Sequence, residues 1–238
     1  MGVGLLPLTD VLAQGARPQV LPGREALSAA RWAMVFDSRR CREGCQDCIL
    51  ACHRVHNVPD IGDVEEEVKW IWTTSYEGAF PGRQHDYIDG LRSKPFVVLC
   101  NHCANPSCVR VCPTRATFKR SDGIVMMDYH RCIGCRYCMA ACPYGARSFN
   151  FRDPRPYLDE VNPDYPTREK GVVEKCNFCA ERLAAGIPPA CVEACRDGAL
   201  AFGDIEDPGS EVRKLLNSGH VLRRKPELGT GPQVYYIV

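Results

Sequence analysis

The stretch CIGCRYCMAACP, running from Cys132 to Pro143, decides how the rest of the chain is read. Cys132, Cys135 and Cys138 are each separated by two residues, and Cys142 follows after three more and precedes a proline. This is the run C-x2-C-x2-C-x3-C-P, in which a tight loop wraps three iron corners of a cubane and the fourth thiolate serves a neighbouring cluster. Upstream, Cys100, Cys103, Cys108 and Cys112 repeat the pattern with a longer second gap and again end in proline, Pro113. Small or apolar residues follow both runs, Ala116 and Phe118 in one and Ala146 and Phe149 in the other, as an internal duplication would leave them.

Further out lie two looser groups. Cys41, Cys45, Cys48 and Cys52 carry an extra residue in the first gap, and His53 stands where the proline would be. Cys176, Cys179, Cys191 and Cys195 stretch the middle gap, and Arg196 replaces the proline. The sixteen cysteines of the 238 residues all fall into these four groups, so no thiol is left over for catalysis or pairing. The expectation is four [4Fe–4S] clusters held by Cys41, Cys45, Cys48, Cys52, Cys100, Cys103, Cys108, Cys112, Cys132, Cys135, Cys138, Cys142, Cys176, Cys179, Cys191 and Cys195.

Three other readings compete for these thiols. Structural zinc takes four thiolates, but as two separated C-x2-C pairs, a spacing that only the last group resembles. Disulfides suit small exported chains with little core, whereas this chain is 45% hydrophobic and long enough to bury one. Covalent haem needs C-x-x-C-H, and Cys48, Cys52 and His53 have one residue too many. Among the histidines, His53 adjoins the first group, and His102 sits inside the second, where a ring N–H could bond a sulfide and raise the potential. For His56, His85, His130 and His220 a surface or satisfied structural role is expected.

The net charge of +1 argues against nucleic acid as a partner. The basic run Arg223, Arg224, Lys225 reads as a solvated face. No Gly-rich phosphate loop is present, and no serine, histidine and acid constellation can be placed around a pocket, so no catalytic residue is expected. With 20 glycines and 18 prolines, short helices and hairpins in a loop-rich α+β fold are expected. Strands are expected over 32–37, 96–99, 124–128, 199–202 and 234–238. Short helices should carry the last cysteine of each motif, as over 138–142 and 191–195. Segments 53–94 and 150–170 read as insertions suited to a partner surface. The apolar run 2–13 ends in Val11-Leu12-Ala13 and has two readings: an ordinary segment packed on the core, or the remnant of an export signal. An exported cluster protein would cross the membrane already folded, by a twin-arginine route.

At CNHCANPSCVRVCPTRATFKRSDGIVMMDYHRCIGCRYCMAACPYGARSF (100–149) and EKCNFCAERLAAGIPPACVEACRDGALAFGD (174–204) the chain resembles the four-cluster ferredoxin-like subunit of the complex iron–sulfur molybdoenzyme superfamily. That subunit carries electrons in polysulfide reductase, formate dehydrogenase and nitrite reductase systems. Within the resemblance, RWAMVFDSRRCREGCQDCILACHRVHNVPD (31–60) is similar to the DsrO subunit of the DsrMKJOP complex of dissimilatory sulfur metabolism. The resemblance implies two ferredoxin-like domains, one inserted in the other: an outer one over 32–95 and 146–205, and an inner one over 96–145. A segment 1–31 precedes them and an extension 206–238 follows. It also implies four ligand sets: Cys41, Cys45, Cys48 with Cys195; Cys176, Cys179, Cys191 with Cys52; Cys100, Cys103, Cys108 with Cys142; Cys132, Cys135, Cys138 with Cys112. The implied partners are a quinone-interacting, DsrP-like membrane subunit, a DsrJ-like multihaem cytochrome c and further Dsr subunits, at the periplasmic face of the membrane. The other readings are the iron–sulfur subunit of a molybdopterin oxidoreductase of polysulfide or tetrathionate reductase type, and a zinc-stabilised interaction scaffold.

Overall fold

The computed structural model describes residues 23, 25–83, 90 and 94–238; the apolar run 2–13 and His85 lie outside them. The chain is α+β and loop-rich. Its first half runs β1 (Trp32–Asp37), α1 (Asp47–Val55), β2 (Ile71–Thr74), α2 (Tyr76–Ala79), β3 (Phe96–Leu99), α3 (Ser107–Arg110), β4 (Thr117–Lys119), β5 (Val125–Met127) and α4 (Tyr137–Ala140). It continues through β6 (Ser148–Phe149), β7 (Val173–Glu174), α5 (Ala180–Ala184), α6 (Ala190–Glu193), β8 (Leu200–Asp204), α7 (Glu211–Ser218), β9 (Val221–Leu222) and β10 (Val234–Ile237).

The main sheet has the order β8-β1-β10-β9. All six residues of β1 are buried, because both faces of the strand are covered. Trp32, Met34 and Phe36 face the main core, where Phe36 meets Phe96 and Tyr236 edge-on with ring centroids 6.1 Å away in each case. Ala33 and Val35 face the other way, beneath α7 and its buried Val212. That helix begins where Ser210 accepts from the Arg213 N–H, 3.1 Å. Antiparallel pairs β2 with β3, β4 with β5 and β6 with β7 make the remaining ladders.

The strands expected over 32–37 and 96–99 form with those bounds, and the other three form within two residues of theirs. Of the helices, α1 carries Cys52, the last cysteine of its motif, as expected, and the others fall short. α4 and α6 carry the third cysteine of their motifs, Cys138 and Cys191, and stop before the fourth. In α4 the cause is local, since a residue preceding proline is pushed out of helical dihedrals and Cys142 precedes Pro143. Within segment 53–94, Trp70, Tyr76 and Phe80 are woven into the core, among the largest buried side chains. Segment 206–238 supplies β10, which lies parallel to β1 inside the main sheet.

The basic run is a correction. Arg224 is 5% exposed, its Nε donates to the Ala79 carbonyl at 3.0 Å, and its guanidinium lies 5.6 Å from the Tyr144 ring. Arg223 remains exposed and Lys225 donates to the Pro143 carbonyl at 2.6 Å. The flat guanidinium finds an aromatic face and a carbonyl, which offset part of its removal from water, while Nη1 has no hydrogen-bond partner.

Candidate cluster-binding site

α1 places Cys48 and Cys52 one turn apart on its buried face. Ahead of it, Gly44 takes φ +73° and turns the loop that carries Cys41 and Cys45. α1 packs on α6, and this contact brings the fourth motif to the first. Cys41, Cys45, Cys48 and Cys195 line one small cavity, walled by Phe36, Val97 and Leu200. Cys112, Cys132, Cys135 and Cys138 line a second, walled by Ile133 and Val173.

The other eight thiols line neither of these cavities. Cys52, Cys176, Cys179 and Cys191 are all buried. Burial, and after it the charges of Cys179, Cys176 and Cys191, push the Cys52 thiol well above its ordinary range. Cys103 is pushed up to about 12 by burial and by Cys100, with Cys108 and Cys142 adding to it. Cys48 also reaches about 12, by burial and by Cys195, Cys41 and Cys45. Converging thiols that oppose one another's ionisation are stable as thiolates only when a metal neutralises them, and the metal then releases their protons.

Charge influences also run from one motif to the next. Cys48 acts on Cys52 and Cys191, Cys100 acts on Cys176, and Cys108 acts on Cys138. Cys48 of the first motif therefore lies near Cys52 and Cys191, Cys100 near Cys176, and Cys108 near Cys138. Cys135, in the third motif, is exposed.

Among these thiols lie buried polar groups with incomplete partners. Arg147 Nη2 and His102 Nε2 have no hydrogen-bond partner among protein atoms. Arg147 faces Cys108, Cys138 and Cys100, whose charges hold its pKa up against burial. An anionic cluster bounded by four thiolates satisfies a cation so placed, and the soft all-sulfur donor sets suit iron–sulfur chemistry.

The histidines divide. His102 is 1% exposed, stacks on Phe178 at 3.7 Å and uses Nδ1 to accept the Val125 N–H at 3.0 Å. Burial, then Lys175 and Arg147, hold its pKa well below the ordinary value. His130 and His220 are exposed, and His53 is half-buried with its pKa lowered by burial. His56 is satisfied as expected, with Nε2 2.8 Å from Glu181 Oε1 and Nδ1 3.0 Å from the Cys52 carbonyl oxygen. Its Nδ1 also lies 3.6 Å from Cys52 Sγ, a contact that the sequence reading missed. The signal was its place four residues after Cys52 at the end of α1.

Residues 93–154 and 160–205 match the family model of the 4Fe-4S dicluster domain. The chain is 43% identical over 236 residues to the Hdr-like menaquinol oxidoreductase iron-sulfur subunit 1 of Archaeoglobus fulgidus, covering 89% of this chain and 85% of that one. The chain belongs to the iron–sulfur subunits of the polysulfide and tetrathionate reductase type. A tetrathionate reductase subunit of Salmonella typhimurium is 38% identical, with 99% of this chain and 82% of the relative covered. A polysulfide reductase subunit of Wolinella succinogenes is 36% identical, with 88% of this chain and 95% of the relative covered. Members of this family are electron-transfer subunits of oxidoreductase complexes, and the sixteen cysteines of this one serve four [4Fe–4S] clusters. Among the described residues no helix is long and apolar enough to cross a membrane.

Proposed function

We propose that the protein is a wire in which each outer motif lends its fourth thiol to the other, and each inner motif does the same. Cys41, Cys45, Cys48 and Cys195 form one set, and Cys52, Cys176, Cys179 and Cys191 the next. Cys100, Cys103, Cys108 and Cys142 form the third, and Cys112, Cys132, Cys135 and Cys138 the last. The observation that carries this reading is the presence of Cys195 in one cavity with the three thiols of the first motif. Each cluster, when bound, takes up and releases single electrons; the chain supplies the thiolates, the burial and the nearby charges that set the potential. The nesting of an inner unit, 96–145, within an outer one, 32–95 and 146–205, is supported by the antiparallel pairing of β1 with β8 across the inner motifs.

In this reading the subunit passes electrons between a quinone-interacting membrane subunit and another redox subunit. The first motif, with its extra residue and Cys52-His53, supports a DsrO-like role in dissimilatory sulfur metabolism. Its partners would be a DsrP-like membrane protein and a DsrJ-like multihaem cytochrome c at the periplasmic face. The likeness to the tetrathionate reductase subunit over 99% of the chain favours a second reading, the iron–sulfur subunit of a molybdopterin oxidoreductase.

The test is anaerobic isolation with the membrane partners, followed by metal, sulfide and haem analysis and reduced EPR. About sixteen irons per chain, four per cubane, with interacting signals support the wire. Stoichiometric zinc without iron would overturn it in favour of a structural scaffold. Covalent haem in the co-purifying subunits supports the Dsr-type complex, and molybdenum supports the second reading.

A further inference from the structure

Two buried cations lie among the thiols without a carboxylate partner, Arg147 just before β6 and Lys175 just after its paired strand β7. Lys175 is 1% exposed, and its Nζ donates to the carbonyls of Val125 and, at 2.7 Å, Cys176. Glu174 precedes it, but strand alternation turns that carboxylate to the opposite side. There Glu174 is consumed by Arg168 at 2.6 Å, by the Trp70 Nε1–H at 2.9 Å and by Asn150 Nδ2 at 2.6 Å. Arg147 is 5% exposed; its Nη1 donates to Thr117 Oγ1 at 3.2 Å, and Nη2 has no partner.

The ionic neighbours of both are sulfurs. Lys175 faces Cys100, Cys176 and Cys108; Arg147 faces Cys108, Cys138 and Cys100; and the two cations repel each other. A buried charge without a counter-ion is among the costliest features a fold can hold, and two like charges side by side compound it. Neither finds a carboxylate, and the thiols that they face enclose the spaces where anionic clusters would supply the compensating charge.

We propose that Lys175 and Arg147 are positioning charges, one at each of two junctions of the wire, that raise the reduction potentials of the clusters they adjoin. This rests on the ligand sets proposed above. Lys175 bridges the Cys176 and Cys100 sets, and Arg147 bridges the Cys100 and Cys132 sets. A cluster gains one negative charge on reduction, so a fixed neighbouring cation favours the reduced form. In dry surroundings that attraction is weakly screened. The Cys41 set lies apart from both: its nearby charges, Arg42 with Asp47 and Asp197, are paired with each other and solvent-screened.

The experiment is a potentiometric EPR titration of the complete chain in its complex, with iron counted per chain. Wild-type protein with about sixteen irons establishes four clusters independently; a lower count would fail the four-cluster reading and not the role of the cations. In Lys175→Met, two of the four midpoint potentials are expected to fall. The reduction equilibrium of each shifts about ten-fold, which for one electron is about 59 mV. Arg147→Met is expected to lower two, one of them shared with Lys175→Met. Four unmoved potentials, or four moving together as after general loosening, would overturn the proposal. Should the neutral variants lose iron, Lys175→Arg and Arg147→Lys decide: retained iron and potentials support a role for charge, and equal loss reduces the residues to packing.

Discussion

Arg168 and Glu174 meet with both side chains fully buried, 2.6 Å apart. Each is hydrogen-bonded beyond the pair: Glu174 to Trp70 and Asn150, and Arg168 to the carbonyl of Asn57 at 2.8 Å, with its guanidinium 5.5 Å from the Trp70 ring. A satisfied buried pair adds little over an apolar substitute, but removing one partner leaves a naked charge. Glu174→Ala is therefore expected to cost about 3–5 kcal/mol, read as a large drop in the thermal unfolding midpoint of the assembled protein. The joint replacement Arg168→Met with Glu174→Leu should cost far less, and equal losses would refute the account. At this scale the cysteines were legible because ligand spacing is a local property. Arg168, Lys175 and Arg224 were not, since nothing in a short window distinguishes a basic residue in water from one under a ring or among thiols.

Element by element, the loop of the third motif turns at Gly134, where φ is +69° and an added Cβ would stand 2.4 Å from the Gly171 carbonyl oxygen. Gly62 has the same φ of +69° with open space around it. Alanine at either position meets the left-handed penalty of about 1–2 kcal/mol, but only at Gly134 does it also displace backbone. Gly134→Ala is expected to lose the irons of one set, about a quarter of the total, whereas Gly62→Ala keeps them all. Equal iron in the two variants would count against a tight fit of this loop. The five expected strands form because apolar, β-branched runs seek burial wherever they lie. α4 and α6 end earlier than expected, whereas α1 runs past Cys52, since in the shorter turns the local stop signal outweighs the pull of the motif.

For the whole molecule, the cluster thiols are part of the core: Cys48, Cys52, Cys100, Cys176 and Cys191 belong to the same buried assembly as Trp70, Phe36 and Phe96. Removing the clusters leaves holes in that assembly and strands Lys175 and Arg147 without counter-charge. Anaerobic chelation is expected to abolish far-UV circular dichroism and protease resistance together with the brown absorbance, because metal binding is folding energy here. A stripped chain that keeps its native spectrum would show that the core stands without them.

By itself the sequence determined the number of thiols, their division into four groups and the cofactor they suit, because a tight metal-binding loop is written within about a dozen residues. It also showed five of the ten short runs that become strands among the described residues. Only the tertiary structure decided that Cys195 meets the first motif, that the C-terminal strand lies beside β1, and that two cations are sealed among the sulfurs. Those outcomes depend on which distant surfaces exclude water together, and burial between remote segments leaves no periodic mark on either one.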